Sequence, residues 1–220
     1  MSKKVLMVVT NHTEIDAENK TGLWLEEFAV PYNIFKEKGY DIKVTSIKGG
    51  RVELDPNSIP EENPAEWEEA QEKLTNTTQL SNEDANQFDA VFLPGGHGTM
   101  FDFPDSETLL HVLQEQAEND KVIGAVCHGP AGLVNVTYKD GSPLVQGKQV
   151  TAFTDSEEEE MQLVEKMPFL LESTLRLKGA DFTSKDNWAD YAVRDGKLVT
   201  GQNPQSSASA ANKVVEALEA

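Results

Sequence analysis

Short apolar segments alternate with longer amphipathic segments along most of this 220-residue chain. Residues 5–10, 90–93 and 122–126 are apolar or β-branched runs with the length of strands, and residues 41–46 are predicted to form a further strand. Helical patterns fill most of the intervals between them. Because strands that alternate with helices form parallel sheets, we predict an α/β fold with a doubly wound, mostly parallel sheet and helices on both faces.

Two of the helical segments have recognisable ends. Thr21 is predicted to cap a helix that runs to about Lys38, and Pro31 is predicted to kink this helix. Ser106 is predicted to cap a second helix that ends near Asn119. Both helices connect predicted strands, so we expect them to cover the sheet.

The second half of the chain continues the alternation. Residues 150–153 are predicted to form a strand, and residues 157–178 a helix that is interrupted at Pro168. The Asp-Gly pair in residues 192–200 predicts a hairpin, and residues 206–218 are predicted to form the last helix.

Residues 49–88 differ in character from the rest of the chain. They carry three prolines, Pro56, Pro60 and Pro64, together with many acidic residues and one helical pattern over residues 65–74. We predict that this segment is a small insertion at an edge of the sheet.

Charge restricts the classes of partner that the chain can bind. Lysine and arginine number 19 against 38 acidic residues, a net charge of −19. Phosphate binding needs clustered basic charge, so nucleic acid and anionic membrane surfaces are excluded as expected partners. No apolar segment approaches the roughly 20 residues of a membrane span, and the N-terminal apolar run is too short for a signal peptide. We therefore expect a cytoplasmic protein.

The only cysteine, Cys127, follows the apolar run 122–126 directly and precedes His128, Gly129 and Pro130. This order predicts a strand, a tight turn and a helix, the arrangement of a nucleophile elbow. A helix N-terminus favours the thiolate, and the N–H of His128 is placed to bind an oxyanion. A single cysteine excludes an internal disulfide and a cysteine-based zinc site. The alternative interpretation is a cysteine that only packs in the core.

Ligands of doubly wound sheets bind at the carboxyl ends of the strands, where residues 11–12, 95–99 and 127–129 are predicted to meet. Gly95 and Gly96 permit close backbone approach and are candidates for a second oxyanion donor.

The candidate acids and bases near this edge are less clearly marked. Glu26 and Glu27 begin an apolar helix face, where a buried carboxyl beside the thiol would exchange protons with it. The acidic run 157–160 is predicted to be mostly a solvated face. We expect His97 to face solvent and His111 to be structural.

Five motifs occur together over nearly the whole chain. They are residues 125–130 (AVCHGP), 95–99 (GGHGT), 21–22 with Glu27, 153–155 (FTD) with Glu158, and 199–204 (VTGQNP). In this combination and order, the chain resembles the ThiJ/PfpI superfamily. It is most similar to the heat-shock chaperone and glutathione-independent glyoxalase branch, also described as glyoxalase III-like.

The resemblance implies a flavodoxin-like fold in a single ThiJ/PfpI-like (class I glutamine amidotransferase-like) domain over residues 1–220. It implies Cys127 as the nucleophile, His128 as base or acid oriented by Glu158, and Glu27 as the carboxyl that touches the thiol. It also implies an oxyanion hole made by the backbone amides of Gly96 and His128. No metal or organic cofactor is implied.

The activity implied by the resemblance is a glyoxalase III-type lyase, also called D-lactate dehydratase, that converts methylglyoxal to lactate without glutathione. The partners implied are small reactive aldehydes such as methylglyoxal and glyoxal, and a second copy of the chain in a homodimer. Relatives are also described as deglycases that repair glycated proteins and as holding chaperones for misfolded proteins. A cysteine peptidase and a thiol redox sensor are further alternatives.

Overall fold

The computed structural model describes residues 2–220. Its strands are β1 Lys4–Val9, β2 Asp41–Ser46, β3 Thr78–Gln79, β4 Ala90–Leu93, β5 Val122–Val126, β6 Gln149–Val150, β7 Asp181–Phe182, β8 Ala192–Asp195 and β9 Leu198–Gly201. Its α-helices are α1 Leu25–Glu37, α2 Glu68–Lys73, α3 Thr99–Asp102, α4 Glu107–Glu118, α5 Asp155–Glu160, α6 Leu171–Leu177 and α7 Ser207–Glu219.

Seven of the strands form one sheet in the order β3-β2-β1-β4-β5-β9-β8. All neighbours in this sheet run parallel except β8 and β9, which form the predicted antiparallel hairpin. Strands β6 and β7 pair in a separate two-stranded sheet. The predicted α/β fold with a doubly wound, mostly parallel sheet is confirmed.

The apolar core lies on both faces of the sheet. Along β1, Leu6 and Val8 join one buried cluster, whereas Val5, Met7 and Val9 join the other. Helices α1 and α7 cover the second of these clusters, and α4 covers the first. Side chains of a strand alternate between its faces, so a strand covered on both faces has the continuous apolar sequence that predicted it.

The first helix begins later than predicted. Helix α1 starts at Leu25, and its N-cap residue Trp24 makes no side-chain capping bond. Thr21 is not the cap, because its hydroxyl donates instead to the carboxylate of Asp55 at 2.9 Å. Helix α1 also continues as a single helix through Pro31. The other predicted cap is confirmed, since Ser106 accepts a hydrogen bond from the N–H of Leu109 at the start of α4.

Residues 49–88 contribute strand β3 to one edge of the sheet. Strand β3 pairs with β2 and is the last strand at this edge of the sheet. The predicted helical run over residues 65–74 consists of a 3-10 turn at Ala65–Trp67 followed by α2.

The predicted long helix over residues 157–178 is two short helices, α5 and α6, on either side of Pro168. The strand predicted over residues 150–153 is shorter and ends at Val150. Within residues 2–220, no helix combines the length and apolar character that a membrane crossing requires.

Candidate active site

Cys127 lies in a sharp turn between β5 and the segment that follows. Its φ angle is +60°, a left-handed conformation that a non-glycine residue adopts at a cost of order 1–3 kcal/mol. Two hydrogen bonds fix this turn: the N–H of Cys127 donates to Gly201 at 3.0 Å, and the N–H of Phe153 donates to Cys127 at 2.9 Å. The strained turn fits the predicted nucleophile elbow.

The element after the elbow differs from the prediction. Residues Gly129–Leu133 form a 3-10 helix of five residues, not an α-helix. Gly129 is required for this turn, because a Cβ atom at this position would collide with the backbone oxygen of Leu93 in β4.

Gly129→Ala is expected to destabilise the fold by about 3 kcal/mol or more, because backbone atoms of two elements would have to move apart. Equilibrium denaturation measures this change. The matched control is Gly141→Ala, where φ is +87° but no atom lies within 4 Å of the added Cβ. In this control only the unfavourable backbone conformation of alanine acts, and it lowers the free energy of unfolding by about 1 kcal/mol. Equal effects of the two substitutions would contradict the collision.

Three side chains form a connected series behind the elbow. The thiol Sγ of Cys127 lies 3.3 Å from Nδ1 of His128, and Nε2 of His128 lies 2.7 Å from Oε2 of Glu158. All three side chains are buried. An ionised carboxylate accepts hydrogen bonds only, so the His128 proton resides on Nε2, and Nδ1 faces the thiol as a base. The structure thus brings together three of the predicted residues.

His97 was predicted to face solvent, and this prediction was wrong. Its side chain is buried, and its Nε2 lies 2.6 Å from Oε1 of Glu158, the oxygen that His128 leaves free. The centroids of the two imidazole rings are 4.0 Å apart. The available sequence signal was its place in a glycine-rich loop after β4, at the same sheet edge as Cys127.

The carboxyl of Glu158 is held as an anion. Burial opposes its ionisation, but the charges of His128 and His97 and the hydrogen bonds from both rings outweigh burial and keep the pKa of Glu158 below its usual range. Burial lowers the pKa of His128, the charge of His97 lowers it further, and Glu158 acts in the opposite direction. The result is a neutral base beside an ionised partner.

Glu27 has the opposite character. It is fully buried, and burial is the main reason that its pKa is well above the usual value. Its Oε2 accepts a hydrogen bond from the N–H of Gly95 at 2.7 Å, while Oε1 has no partner among the residues described. Burial therefore favours the neutral, protonated form of Glu27, which lies beside the Cys127 thiol.

The same surroundings keep the thiol protonated at rest. Burial raises the pKa of Cys127 well above its usual value, and the neighbouring Glu27 carboxyl raises it further. The backbone N–H of His128 acts in the other direction but is outweighed. The expectation that a helix N-terminus favours a resting thiolate was wrong, because only a short 3-10 helix follows and a neutral acid lies alongside. A base must therefore remove the thiol proton during reaction.

The glycine-rich loop places two backbone amides at the mouth of the elbow, and only one of them is available. The N–H of Gly95 is engaged by Glu27. Gly96 adopts a φ of +102°, and a Cβ there would collide with the backbone oxygen of Gly22, so the loop packs closely on the segment that precedes α1. Gly96 and His128 remain the candidate oxyanion donors.

A small cavity of about 70 Å³ lies over the sulfur atom. Apart from the thiol and the two imidazoles, the surface that lines it is almost entirely apolar. The lining residues are Trp24, Gly96, His97, Cys127, His128, Phe153, Met161, Trp188 and Pro204. Cys127 itself is buried and only 3% exposed. The cavity has room for a molecule of a few heavy atoms.

The acidic run 157–160 was predicted to be mostly a solvated face, but only half of it is exposed. Glu157 and Glu158 are buried, whereas Glu159 and Glu160 are exposed. Glu157 accepts hydrogen bonds from the N–H of Trp188 at 2.9 Å, from Asn203 at 2.9 Å and from Gln202 at 3.1 Å. It also closes a capping box with Thr154 at the start of α5. One carboxylate thus joins α5, the segment after β9 and the cavity wall.

Glu157→Ala is expected to destabilise the protein by about 3 kcal/mol, because several buried donors lose their acceptor together. Thermal or urea unfolding measures this loss. The exposed neighbour Glu159 provides the control, and Glu159→Ala should stay within about 0.5 kcal/mol of the unchanged protein. A Glu157→Ala protein as stable as this control would show that the network contributes little.

His97, His128 and Glu158 are the one cluster among the described residues whose side chains converge as metal ligands do. Both imidazoles already donate to the two oxygens of Glu158. Hydrogen bonding accounts for this convergence without an ion.

The sequence of this chain is similar to those of several known proteins. The DJ-1/PfpI family profile matches residues 3–217. Glyoxalase 3 of Candida albicans is 32% identical over 98% of each chain. The glutathione-independent glyoxalase HSP31 of Saccharomyces cerevisiae is 31% identical over 99% of this chain and 98% of the relative. A protein/nucleic acid deglycase of Staphylococcus aureus is 28% identical over 93% of this chain and 76% of its own.

Solved structures share the fold closely. One chain that is 66% identical superposes with a TM-score of 0.98 over 100% of this chain and 99% of its own. Glyoxalase III from Candida albicans, 31% identical, superposes with a TM-score of 0.90 over 98% of this chain and 97% of its own.

Proposed function

Because this chain belongs to the DJ-1/PfpI family, we propose that it is a glutathione-independent glyoxalase that converts methylglyoxal to lactate. One observation carries the proposal. A thiol, an imidazole base 3.3 Å away and a neutral carboxyl meet beneath an apolar cavity of about 70 Å³. These are the groups that a cofactor-free aldehyde isomerisation needs, and the cavity has the size of a three-carbon substrate.

The first step is addition of the thiol to the aldehyde carbon. His128 takes the thiol proton on Nδ1, and Glu158 stabilises the imidazolium that forms. The sulfur bonds to the aldehyde carbon, and the electrons of the C=O bond move to its oxygen. The amides of Gly96 and His128 bind this oxyanion until His128 returns the proton to it. The product is a neutral hemithioacetal.

The second step moves hydrogen between the two substrate carbons. His128, now neutral, removes the proton from carbon 1 while Glu27 protonates the oxygen on carbon 2, which gives an enediol. His128 then delivers its proton to carbon 2, and Glu27 recovers a proton from the oxygen on carbon 1. The resulting thioester is hydrolysed by water, which releases lactate and restores the thiol.

The burial of Cys127 distinguishes this proposal from the alternatives. A deglycase or a peptidase must bring a protein segment to the sulfur, but Cys127 is only 3% exposed. A holding chaperone needs an apolar surface patch. Among the described residues, the large apolar side chains on the surface are Ile59 and Leu177, which lie in different segments of the chain.

The test is turnover of methylglyoxal to lactate by the purified protein in the absence of glutathione. Release of methylglyoxal-derived adducts from a glycated protein and suppression of client aggregation are assayed in parallel. Lactate formation with neither of the other activities supports the proposal. Absence of lactate contradicts it, and whichever parallel activity is found then identifies the alternative.

Two finer predictions from the sequence stay predictions. Light scattering coupled to size-exclusion chromatography tests the predicted homodimer by its molar mass. Cell fractionation tests the predicted cytoplasmic location.

A further inference from the structure

One buried titratable side chain has no role in the proposed reaction. His97 is 4% exposed and lies between β4 and α3, and its one side-chain hydrogen bond among the described residues goes to Glu158. A buried imidazole needs a hydrogen-bond partner. A histidine with a purely structural role has no need to bond the same carboxylate as a catalytic base. Its position calls for a functional explanation.

Glu158 is the centre of a symmetric arrangement. Oε1 accepts from His97 at 2.6 Å, and Oε2 accepts from His128 at 2.7 Å. The terminal torsion of a glutamate is soft, so a carboxylate with one partner rotates easily. A donor on each oxygen removes this freedom.

We propose that His97 is a positioning residue that fixes the Glu158 carboxylate, and thereby keeps the His128 proton on Nε2 and presents Nδ1 to the Cys127 thiol. Without the second donor, the carboxylate would turn and His128 would spend time with a proton on Nδ1. A thiol that faces an N–H in place of a lone pair has no base to take its proton.

Packing around the two rings makes this arrangement rigid. Phe153 contacts the His128 ring at a centroid distance of 4.3 Å and meets the His97 ring edge-on at 6.0 Å. The contributions of the His97 ring and of its hydrogen-bond donor can therefore be tested separately by two substitutions. His97→Phe keeps an aromatic ring in the layer and removes the donor, whereas His97→Gln places an amide N–H near the position of Nε2.

The first readout is the rate at which iodoacetamide alkylates Cys127, measured against pH. Cys127 is the only cysteine, so the modified site is unambiguous. We expect His97→Phe to lower the rate near neutral pH about 10-fold or more, and His97→Gln to stay within about 3-fold of the unchanged protein. At high pH, where hydroxide removes the thiol proton, the three rates should converge.

The pH profile is interpreted against every ionisable group that acts on these two residues. Those acting on His128 are His97, Glu158 and Glu157, and those acting on the thiol are Glu27 and Glu157. The two substitutions leave all of these except His97 in place.

The second readout is the tautomer of His128, observed by nitrogen-15 NMR of histidine-labelled protein. The chain has four histidines, so their signals can be assigned by substitution. The unchanged protein and His97→Gln should show His128 protonated on Nε2 alone. His97→Phe should show a mixture of the two tautomers.

Lactate formation is the third readout, and it alone rests on the proposed function. If His97 acts through His128, turnover and alkylation fall by the same factor. Loss of turnover with normal alkylation would overturn the proposal, because His97 would then act on the substrate itself. Equal loss in His97→Phe and His97→Gln, or no loss in either, would also overturn it. If the unchanged protein makes no lactate, the proposed function fails and the alkylation and NMR readouts still decide the role of His97.

Discussion

Cys127→Ser is expected to lower lactate formation from methylglyoxal by at least about a thousand-fold. Serine keeps the size and the strained turn of the elbow, but its hydroxyl is a far weaker acid than a thiol. His128 is a neutral base whose pKa is lowered by burial, so it does not deprotonate a hydroxyl to a useful extent. The addition that begins the reaction therefore fails.

The measurement is single-turnover lactate formation at saturating methylglyoxal, with thermal unfolding of the same preparation as the check on folding. Ser209→Ala, at a half-buried position on α7 outside the cavity lining, is a control that leaves the site intact. A Cys127→Ser protein that folds normally and retains a tenth of the activity would mean that the sulfur is not the nucleophile.

Glu27→Gln is expected to lower lactate formation about 100-fold and to stabilise the protein above neutral pH. The loss of activity follows from removal of a proton donor, for which a factor of 10²–10⁴ is typical. The gain in stability follows from the raised pKa of Glu27 in the folded state. Its neutral form is favoured in the fold, so its contribution is complete below the unfolded value near 4.5 and is lost as pH rises through the folded value.

Melting curves across pH measure this effect. At about pH 8 the Glu27→Gln protein should melt at least about 3 °C higher, equivalent to about 1 kcal/mol for a domain of this size. The difference should disappear on the acid side of the unfolded value. Glu37→Gln, at an exposed position on the same helix, should change neither property. A lower melting temperature for Glu27→Gln at alkaline pH would contradict the assignment of a neutral carboxyl.

The sequence was sufficient to predict the sheet and the sharp turn at Cys127 because both have local signals. The apolar run 122–126 determines a buried strand, and the glycine two residues after Cys127 determines the turn. The candidates for the buried carboxyl could be narrowed to Glu26 and Glu27 by their place on an apolar helix face. The contact of Glu27 with the thiol, however, depends on how α1 packs against the sheet.

His97 and Glu157 could not be found in this way because distant residues bury them. Thr154 marks Glu157 as a capping-box residue, but its burial depends on Trp188, Gln202 and Asn203, which follow at least 31 positions later. Thr21 illustrates the same limit: it has the side chain of a helix cap, but Asp55, 34 residues away, takes its hydroxyl. Long-range hydrogen bonds override local preferences at all three positions.

The burial of Cys127 has a consequence for the timing of a catalytic cycle. Because Cys127 is only 3% exposed, a substrate reaches the thiol past the side chains that line the cavity. Glu157 holds the backbone of Trp188, so opening on this side falls to rotations of side chains such as Met161, which is only half-buried. Such rotations occur within nanoseconds to microseconds, far faster than a typical turnover. Side-chain motion at the cavity wall is therefore not expected to limit the rate at which small molecules react.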